Sequence, residues 1–147
     1  MDNVSQGLGV LLFDVGRLLR RNFNRRAQDV GLTQAQWQAL AHLSRNEGMN
    51  QACLADLLEV QPITLARLID RLEAAGWVER RPDASDRRAQ RLFLTPKATP
   101  LLDRMHVLAG ETREQALDGL SMTERERLMR TLKAIKSNLV GAEGSRD

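Results

Sequence analysis

The sequence predicts a mainly α-helical fold with one small β-hairpin. Apolar residues recur at intervals of three and four over most of the chain, which is the period of an amphipathic helix. Strand-forming residues concentrate at 77–81 and 91–94, on either side of a run of turn formers. Two short helices precede this hairpin and are joined tightly enough to form a helix-turn-helix. This order of helices and strands along the chain predicts a winged helix-turn-helix with additional N- and C-terminal helices.

Four helices are predicted before the hairpin. The first covers about residues 7–29 and ends before Gly31. Thr33 and Gln36 form a capping-box pair that opens the second helix, and Asn50 suits the N-cap of a short third helix. Apolar residues at helical spacing mark these three helices: Leu8, Leu11, Leu12, Val15, Leu18, Leu19 and Phe23 in the first, Trp37, Leu40 and Leu43 in the second, and Leu54, Leu57 and Leu58 in the third.

The fourth helix begins at Pro62, because a first helical turn does not use the amide hydrogen that proline lacks. Gly76 supplies its C-terminal stop. Its apolar stripe consists of Leu65, Leu68, Ile69 and Leu72. The polar residues off this stripe include Gln61, Thr64, Arg67 and Arg71. Thr64 and Arg67 are therefore presented outward near the N-terminal half, the end that a recognition helix places against base edges.

The hairpin carries arginines near its tip, where Arg87 and Arg88 follow Asp86. Arginine is well suited to a narrow minor groove, because its guanidinium fork finds several acceptors in an enhanced negative potential. Asp86 is expected to orient an arginine rather than to touch DNA. The alternative is that this tip is only a solvated surface loop. Between positions 80 and 91 the positive charges are Arg80, Arg81, Arg87, Arg88 and Arg91.

Two long helices are predicted after the hairpin. The first covers about residues 96–117, with Thr95 as its cap and a slight kink at Pro100. The last opens with the capping pair Thr123 and Glu126.

These elements are expected to form a single domain over residues 1–147, with its DNA-binding lobe at about 33–95. The helices at about 7–29 and 96–140 exceed what a small winged helix needs, and residues 141–147 are expected to be a disordered tail. The surplus apolar faces predict a homodimer, because two recognition helices about 34–36 Å apart reach successive major grooves. The alternative is that these helices complete a monomeric core.

Composition narrows the kind of partner. The formal net charge is +3 and the isoelectric point is near 9.7, and clustered arginines favour an acidic partner. Tyrosine is absent and aromatic residues make up 3%, so the chain lacks the stacking platform of RNA and single-strand binders. Duplex DNA is the expected partner.

Other function classes have little support in the sequence. No apolar run approaches the roughly 18 residues that span a bilayer, and the N-terminus lacks a charged leader, so a cytoplasmic location is expected. His42, His106, Cys53 and scattered carboxylates form no catalytic or metal-binding pattern. We therefore expect no enzyme activity, no cofactor and no metal.

Cys53 is the one cysteine of the chain and cannot form an internal disulfide. Its setting in a short helix predicts a small packed residue, and a buried structural cysteine is usually inert. The alternative is a thiol that senses oxidants.

The residues quoted so far resemble the MarR family of regulators, and within it the SlyA-type branch. The similar stretches are LTQAQWQALAHL, LARLIDRLEAAGWVER, ASDRRAQRLFLTPKA and TREQALDGLSMTERERL, which together extend over nearly the whole chain. The chain departs from the family pattern at Ala98, where a glycine is common, and at Pro100.

The resemblance implies a triangular α-helical dimer and sequence-specific transcriptional control, often relieved by a small phenolic or anionic effector. By position, Ile63, Thr64, Arg67, Arg87 and Arg88 would contact DNA. The complete candidate DNA-binding set is Gln61, Pro62, Ile63, Thr64, Arg67, Arg71, Asp86, Arg87 and Arg88.

The resemblance also implies an effector site at Arg17, Arg20 and Trp37. Arginines three apart share a helix face and could hold a carboxylate, while an indole could cover an aromatic ring. The alternative is that the arginines are surface charges and Trp37 is a core residue. Two further alternatives concern function: a redox-sensing regulator that uses Cys53, and a winged helix that binds DNA non-specifically or contacts only proteins.

Overall fold

The computed structural model describes the backbone of residues 3–143 and the side chains of residues 7–142. Its fold is mainly helical with one small antiparallel sheet, which confirms the predicted fold class. The helices are α1 (Asn3–Arg26), α2 (Gln34–Arg45), α3 (Gln51–Leu58), α4 (Pro62–Ala74), α5 (Thr99–Ala116) and α6 (Met122–Glu143). The strands are β1 (Met49–Asn50), β2 (Val78–Pro82) and β3 (Gln90–Leu94), and short 3-10 turns lie at Gln28–Val30 and Pro96–Ala98.

The described chain forms two compact units, Met1–Thr112 and Arg113–Asp147. The first contains α1 to α4, the sheet and most of α5. Its core is built from apolar residues that recur at helical spacing, together with inward-facing residues of the sheet. The core residues with almost no exposed surface are Leu40, Leu43, Leu54, Leu65, Ile69, Leu72, Val78, Leu92 and Leu108.

Local capping sets where α2 begins. Thr33 accepts a hydrogen bond from the Gln36 amide at 3.2 Å, and the Gln36 side chain accepts one from the Thr33 amide at 2.9 Å. This confirms the predicted capping box. The preceding segment differs from the prediction: α1 ends at Arg26, and the 3-10 turn at Gln28–Val30 replaces its last turn before Gly31.

The helix-turn-helix consists of α3 and α4. Asn50 caps α3 by accepting a hydrogen bond from the Ala52 amide at 2.7 Å, as predicted. Glu59 adopts the left-handed conformation at φ 53°, and the Val60 amide donates to the Ala55 carbonyl at 3.1 Å. The chain can therefore reverse within a few residues and re-enter a helix at Pro62.

The wing is a three-stranded antiparallel sheet in the order β1-β3-β2. β2 pairs with β3 in a register that places Val78 opposite Leu94 and Pro82 opposite Gln90. Pro82 therefore belongs to the strand and not to the turn, which starts one residue later than predicted. β1 at Met49–Asn50 pairs with Leu92 and Arg91 and is an additional strand, beyond the predicted two-stranded hairpin.

The connection from the wing to α5 also differs from the prediction. Thr95 makes no side-chain cap, because its hydroxyl donates to the Gly76 carbonyl instead. Pro96–Ala98 forms a separate 3-10 turn, so Pro100 lies in the first turn of α5 and not one turn inside a longer helix. A proline is tolerated there, since first-turn amides have no helical partner. Ala98, the first of the two departures from the family pattern, is fully buried.

The second unit contains the end of α5 and α6. The capping box of α6 is Ser121 with Glu124, at 2.8 and 3.2 Å, and the prediction of Thr123 with Glu126 was wrong by two residues. The same spacing occurs at both pairs, so only the position of the turn decides between them. Residues 141–143 are helical and do not belong to a disordered tail, while residues 144–147 lie outside the described range.

Candidate nucleic-acid interface

Helix α4, the predicted recognition helix, turns one face to the core and leaves the other exposed. Leu65, Ile69 and Leu72 are fully buried on the inner face. Ile63 is 61% exposed on the outer face, close to the N-terminus of α4. The candidates that are exposed on α4 and at its N-cap are Gln61, Pro62, Ile63, Thr64, Arg67 and Arg71.

The C-terminal end of α4 is held by several hydrogen bonds. The amides of Gly76 and Trp77 donate to the carbonyls of Glu73 and Leu72 at 2.9 and 3.0 Å, the pattern of a Schellman motif, and Gly76 has φ 82°. This confirms Gly76 as the predicted stop. Lys97 contributes from the segment after the wing, since its Nζ donates to the Ala75 carbonyl at 2.8 Å. A cation at a helix C-terminus also favours the helix dipole.

The wing tip is organised by its two aspartates. Asp86 accepts a hydrogen bond from the Arg88 amide at 2.9 Å, and Asp83 accepts from the amide and hydroxyl of Ser85 at 2.9 and 2.8 Å. These bonds to Ser85, the backbone one first, hold the pKa of Asp83 below its usual value. Asp86 therefore shapes the backbone that carries Arg88 and makes no described contact with an arginine side chain. The expectation that Asp86 orients an arginine and does not touch DNA stays a prediction.

The wing tip and the start of α4 border the same open cleft of about 350 Å³. Pro62 lines it from α4, and Asp86 and Arg88 line it from the wing. Gln51, at the start of α3, also lines it, although the sequence analysis did not select this residue. Its position next to the N-cap Asn50 was the available signal. The structure thus brings candidates from two separate sequence segments to one surface.

The five wing arginines fall into two groups. Arg87 and Arg88 are exposed, and their guanidinium groups make no hydrogen bond or ion pair within residues 7–142. The same holds for Arg67 and Arg71 on α4. The other three are engaged by the protein: Arg80 with α3 and α4, Arg81 with Glu79 and the ring of Phe93, and Arg91 with the Gly48 carbonyl at 2.7 Å. Fewer positive charges of the wing are therefore available to a partner than its five arginines suggest.

The three residues predicted to bind an effector lie on α1 and α2. Trp37 packs its ring against Phe23 at a centroid distance of 4.4 Å, and its Nε1 donates to the Asn24 side chain. Arg17 lies 3.7 Å from Asp14 in an exposed ion pair, and Arg20 is half-buried. Arg20 and Asn24 are four residues apart, so they share the α1 face on which the indole rests.

Cys53 is exposed, and the prediction of a packed cysteine was wrong. Helix α3 buries Leu54 and Ala55. The adjacent position is rotated by about 100° around the helix and therefore points outward.

The described residues contain no cluster of histidine, cysteine and carboxylate side chains that could hold a metal ion. Within the same range, none of the helices combines the length and apolar character that crossing a bilayer requires.

Comparison with known proteins identifies relatives of this fold. The sequence model of the MarR family matches residues 32–89, from the start of α2 to the wing tip. Transcriptional regulator PA3341 is 38% identical, with 91% of this chain and 98% of that chain covered and a TM-score of 0.80. A MarR transcriptional regulator from Methanosarcina mazei Go1 is 28% identical over 92% of this chain and 97% of its own, with a TM-score of 0.82.

A cysteine-to-serine mutant of MarR from E. coli, solved in complex with operator DNA, is 27% identical over 92% of this chain and 99% of its own, with a TM-score of 0.72. The similarity extends well beyond the winged helix-turn-helix, since it includes most of the outer helices. The chain belongs to the MarR family of transcriptional regulators.

Proposed function

We propose that the protein is a sequence-specific transcriptional regulator that binds duplex DNA. One observation carries this proposal: within residues 61–91, which contain α4 and the wing, the arginines without a described protein partner lie on α4 and at the wing tip, and they are Arg67, Arg71, Arg87 and Arg88. We expect Thr64 and Arg67 to contact base edges, while the wing arginines contact the phosphate backbone or the minor groove of DNA. The operator complex of the related E. coli MarR mutant supports the same use of this fold.

The test is DNA binding by variants that remove one arginine at a time. Arg67→Ala is expected to lower affinity for a bound operator duplex by about tenfold or more, the usual cost of one base contact. Arg81→Ala is the matched control, because it removes the same charge from a side chain that stacks on Phe93. Fluorescence anisotropy measures both. Equal affinities for Arg67→Ala and the unmodified protein would speak against the proposed interface.

We further propose that the regulator is a homodimer and represses transcription by occupying an inverted-repeat operator. Support comes from α1, whose apolar side chains are exposed in the single chain, with Leu11 at 65%. Leu8, Leu11, Leu12, Val15, Leu18 and Leu19 recur at three and four and therefore share one face of the helix, and an exposed apolar face is typical of an interaction surface. The exposed apolar residues of α1 are Leu8, Val10, Leu11, Leu12, Phe13, Val15, Leu18 and Leu19. We also propose that the chain belongs to the SlyA-like branch, because four stretches of its sequence resemble that branch. We expect no enzyme activity.

We propose that Arg17, Arg20 and Trp37 bind a small aromatic or anionic effector that relieves repression. Binding at α1 could change the separation of the two recognition helices, and losing simultaneous contact with both half-sites would weaken affinity sharply. Salicylate is a suitable probe in a Trp77→Phe background, where fluorescence reports Trp37 alone. Saturable quenching that Arg20→Ala abolishes and Arg21→Ala preserves is the expected result. If salicylate does not quench Trp37 fluorescence at any concentration, the proposed effector site is wrong.

A redox-sensing regulator is the second candidate function, and the exposure of Cys53 favours it. An exposed thiol is open to oxidants that a packed one would not meet. If Cys53 is the sensor, peroxide lowers the DNA affinity of the unmodified protein and leaves Cys53→Ser unchanged. A retained response in Cys53→Ser would dismiss this candidate.

A further inference from the structure

Arg80 is held in a position that a DNA-contacting arginine would not occupy. Its side chain is only 19% exposed, in contrast to the exposed Arg87 and Arg88 at the tip of the same wing. Strand alternation explains the direction: Arg80 lies on the same face of β2 as the buried Val78, whereas Glu79 and Arg81 lie on the opposite face. The guanidinium therefore points back toward the helices.

Arg80 contacts the recognition helix at three successive places. Its Nη2 donates to the Ala66 carbonyl at 2.9 Å, and its Nη1 donates to the Asp70 carboxylate at 2.6 Å and to Glu73 at 3.3 Å. Glu73 also accepts a hydrogen bond from the Arg80 backbone amide at 3.0 Å. Both the side chain and the main chain of this strand residue are thus bonded to α4. Charge-assisted bonds from one planar group fix geometry as well as distance.

A fourth contact extends the arrangement to the first helix of the helix-turn-helix. The Nε of Arg80 donates to the Gln51 side chain at 3.1 Å. Gln51 is the first residue of α3 and lines the cleft that Arg88 and Pro62 also border. One guanidinium therefore connects β2, α3 and α4, the three elements that carry or border the proposed DNA surface.

We propose that Arg80 is a positioning residue that fixes the wing relative to the recognition helix, so that Arg88 and Arg67 meet DNA together. The proposal rests on the proposed DNA-binding function. Its physical basis is preorganisation: a hairpin already held in place loses less conformational freedom on binding. The Arg80 charge is neutralised by Asp70 and Glu73 and adds little direct attraction for phosphates, so its contribution to affinity acts through the wing.

The test is a double-mutant cycle between the wing tip and residue 80. Arg88→Ala is made in three backgrounds: the unmodified protein, Arg80→Met, and the control Arg81→Met. Methionine keeps an apolar stem of similar length and removes the charge in both cases. Affinity is measured for a mixed-sequence DNA duplex of about 30 base pairs, three helical turns.

In the unmodified protein and in Arg81→Met, Arg88→Ala is expected to weaken binding severalfold. In Arg80→Met the same substitution is expected to change affinity by less than about twofold, because a wing that is no longer fixed contributes little. A purely structural loss would lower the active fraction and leave the effect of Arg88→Ala intact. Equal effects in all three backgrounds would overturn the proposal.

Hydrogen exchange of the free protein tests the positioning role of Arg80 separately from the proposed DNA-binding function. Arg80→Met is expected to speed amide exchange in residues 78–94 while α2 stays protected, and Arg81→Met is not. If Arg80→Met speeds exchange in this way but the unmodified protein does not bind DNA, the proposed function is wrong and the positioning role of Arg80 is still supported. If exchange is unchanged in Arg80→Met and the unmodified protein binds DNA, only the positioning role of Arg80 is wrong.

A second variant covers the case in which Arg80→Met does not fold. The double substitution Asp70→Asn and Glu73→Gln removes the charged acceptors and keeps Arg80 itself. Both carboxylates are substantially exposed, so the core is not disturbed. The same loss of coupling to Arg88 is expected, and full coupling in this variant would overturn the proposal.

Discussion

His42 lies half-buried on α2, where its pKa is lowered, first by burial and second by the nearby positive charge of Arg45. Since the pKa is lower in the folded protein than in the unfolded chain, the unfolded chain binds protons more readily over the interval between the two values. The free energy of unfolding should therefore fall as the pH drops from above 6.5 through the folded-state pKa.

His42→Gln is expected to remove this part of the pH dependence, because glutamine does not titrate. Urea unfolding at a series of pH values from 8 down to about 5, which brackets the ordinary pKa of histidine, measures it. At pH 8 the histidine is neutral, so any difference there reports the substitution alone. An equally steep decline in His42→Gln would show that another group is responsible.

Gly48 and Gly31 allow backbone strain to be separated from steric crowding. Both have positive φ, 82° and 75°. A Cβ on Gly48 would lie 2.8 Å from Nη2 of Arg91 and 3.2 Å from the Phe93 ring, whereas one on Gly31 would meet nothing within 4 Å. Gly31→Ala is expected to cost about 1 kcal/mol from the backbone alone. Gly48→Ala should cost more, because the Arg91 guanidinium and the Phe93 ring must give way and the Arg91 hydrogen bond to the Gly48 carbonyl would be disturbed.

Thermal unfolding of the two glycine variants measures this difference. A lower melting temperature for Gly48→Ala than for Gly31→Ala is the expected order. Equal losses would mean that Arg91 and Phe93 move aside freely.

Two residues show why sequence reasoning fails for single side chains. Arg80 is one of five arginines in a basic stretch, and its acceptors, Asp70 and Glu73, lie on another element, so only the folded chain distinguishes it from Arg87. Cys53 depends on the rotational phase of α3, where a shift of one residue exchanges the buried and exposed sides.

At the scale of elements, locally encoded features could be predicted and long-range ones could not. The capping box at Thr33 and the stop at Gly76 need only neighbours along the chain, and both were correct. β1 is two residues long, too short to show an alternating pattern, and its partner Arg91 is far away in sequence. The misplaced cap of α6 reflects two overlapping motifs of equal quality at Ser121 and Thr123.

The wing as an element predicts a specific salt dependence. Each phosphate contact releases counterions and contributes about 0.9 to the slope of log affinity against log salt concentration. Arg88→Ala should therefore reduce this slope by about one contact, because its guanidinium is free to meet a phosphate. Arg81→Ala should leave the slope unchanged, since Arg81 lies 4.0 Å above the Phe93 ring and 3.3 Å from Glu79. Anisotropy titrations at several salt concentrations measure both slopes.

The opposite ranking of the two arginines would contradict this assignment. It would place the DNA-facing side of the wing on the Phe93 surface and not at the tip.

At the scale of the whole molecule, dimerisation is expected to depend on the apolar face of α1. Leu11→Asp should shift the protein to monomers in sedimentation experiments, because a buried unpaired carboxylate is costly at an interface. Leu57→Asp is the matched control: Leu57 is about as exposed as the α1 residues but lies on α3. Dimers that persist in Leu11→Asp would show that α1 is not the interface.

The central claim is that two recognition helices of a dimer read one DNA sequence. Footprinting of the purified protein on fragmented genomic DNA of its host, at near-physiological salt, tests this claim most directly. The account predicts enrichment of a short inverted repeat with half-sites one helical turn or a multiple of it apart, and loss of that enrichment in Arg67→Ala. Weak, uniform binding with no shared motif would contradict the account and indicate a non-specific DNA-binding or protein-contacting winged helix.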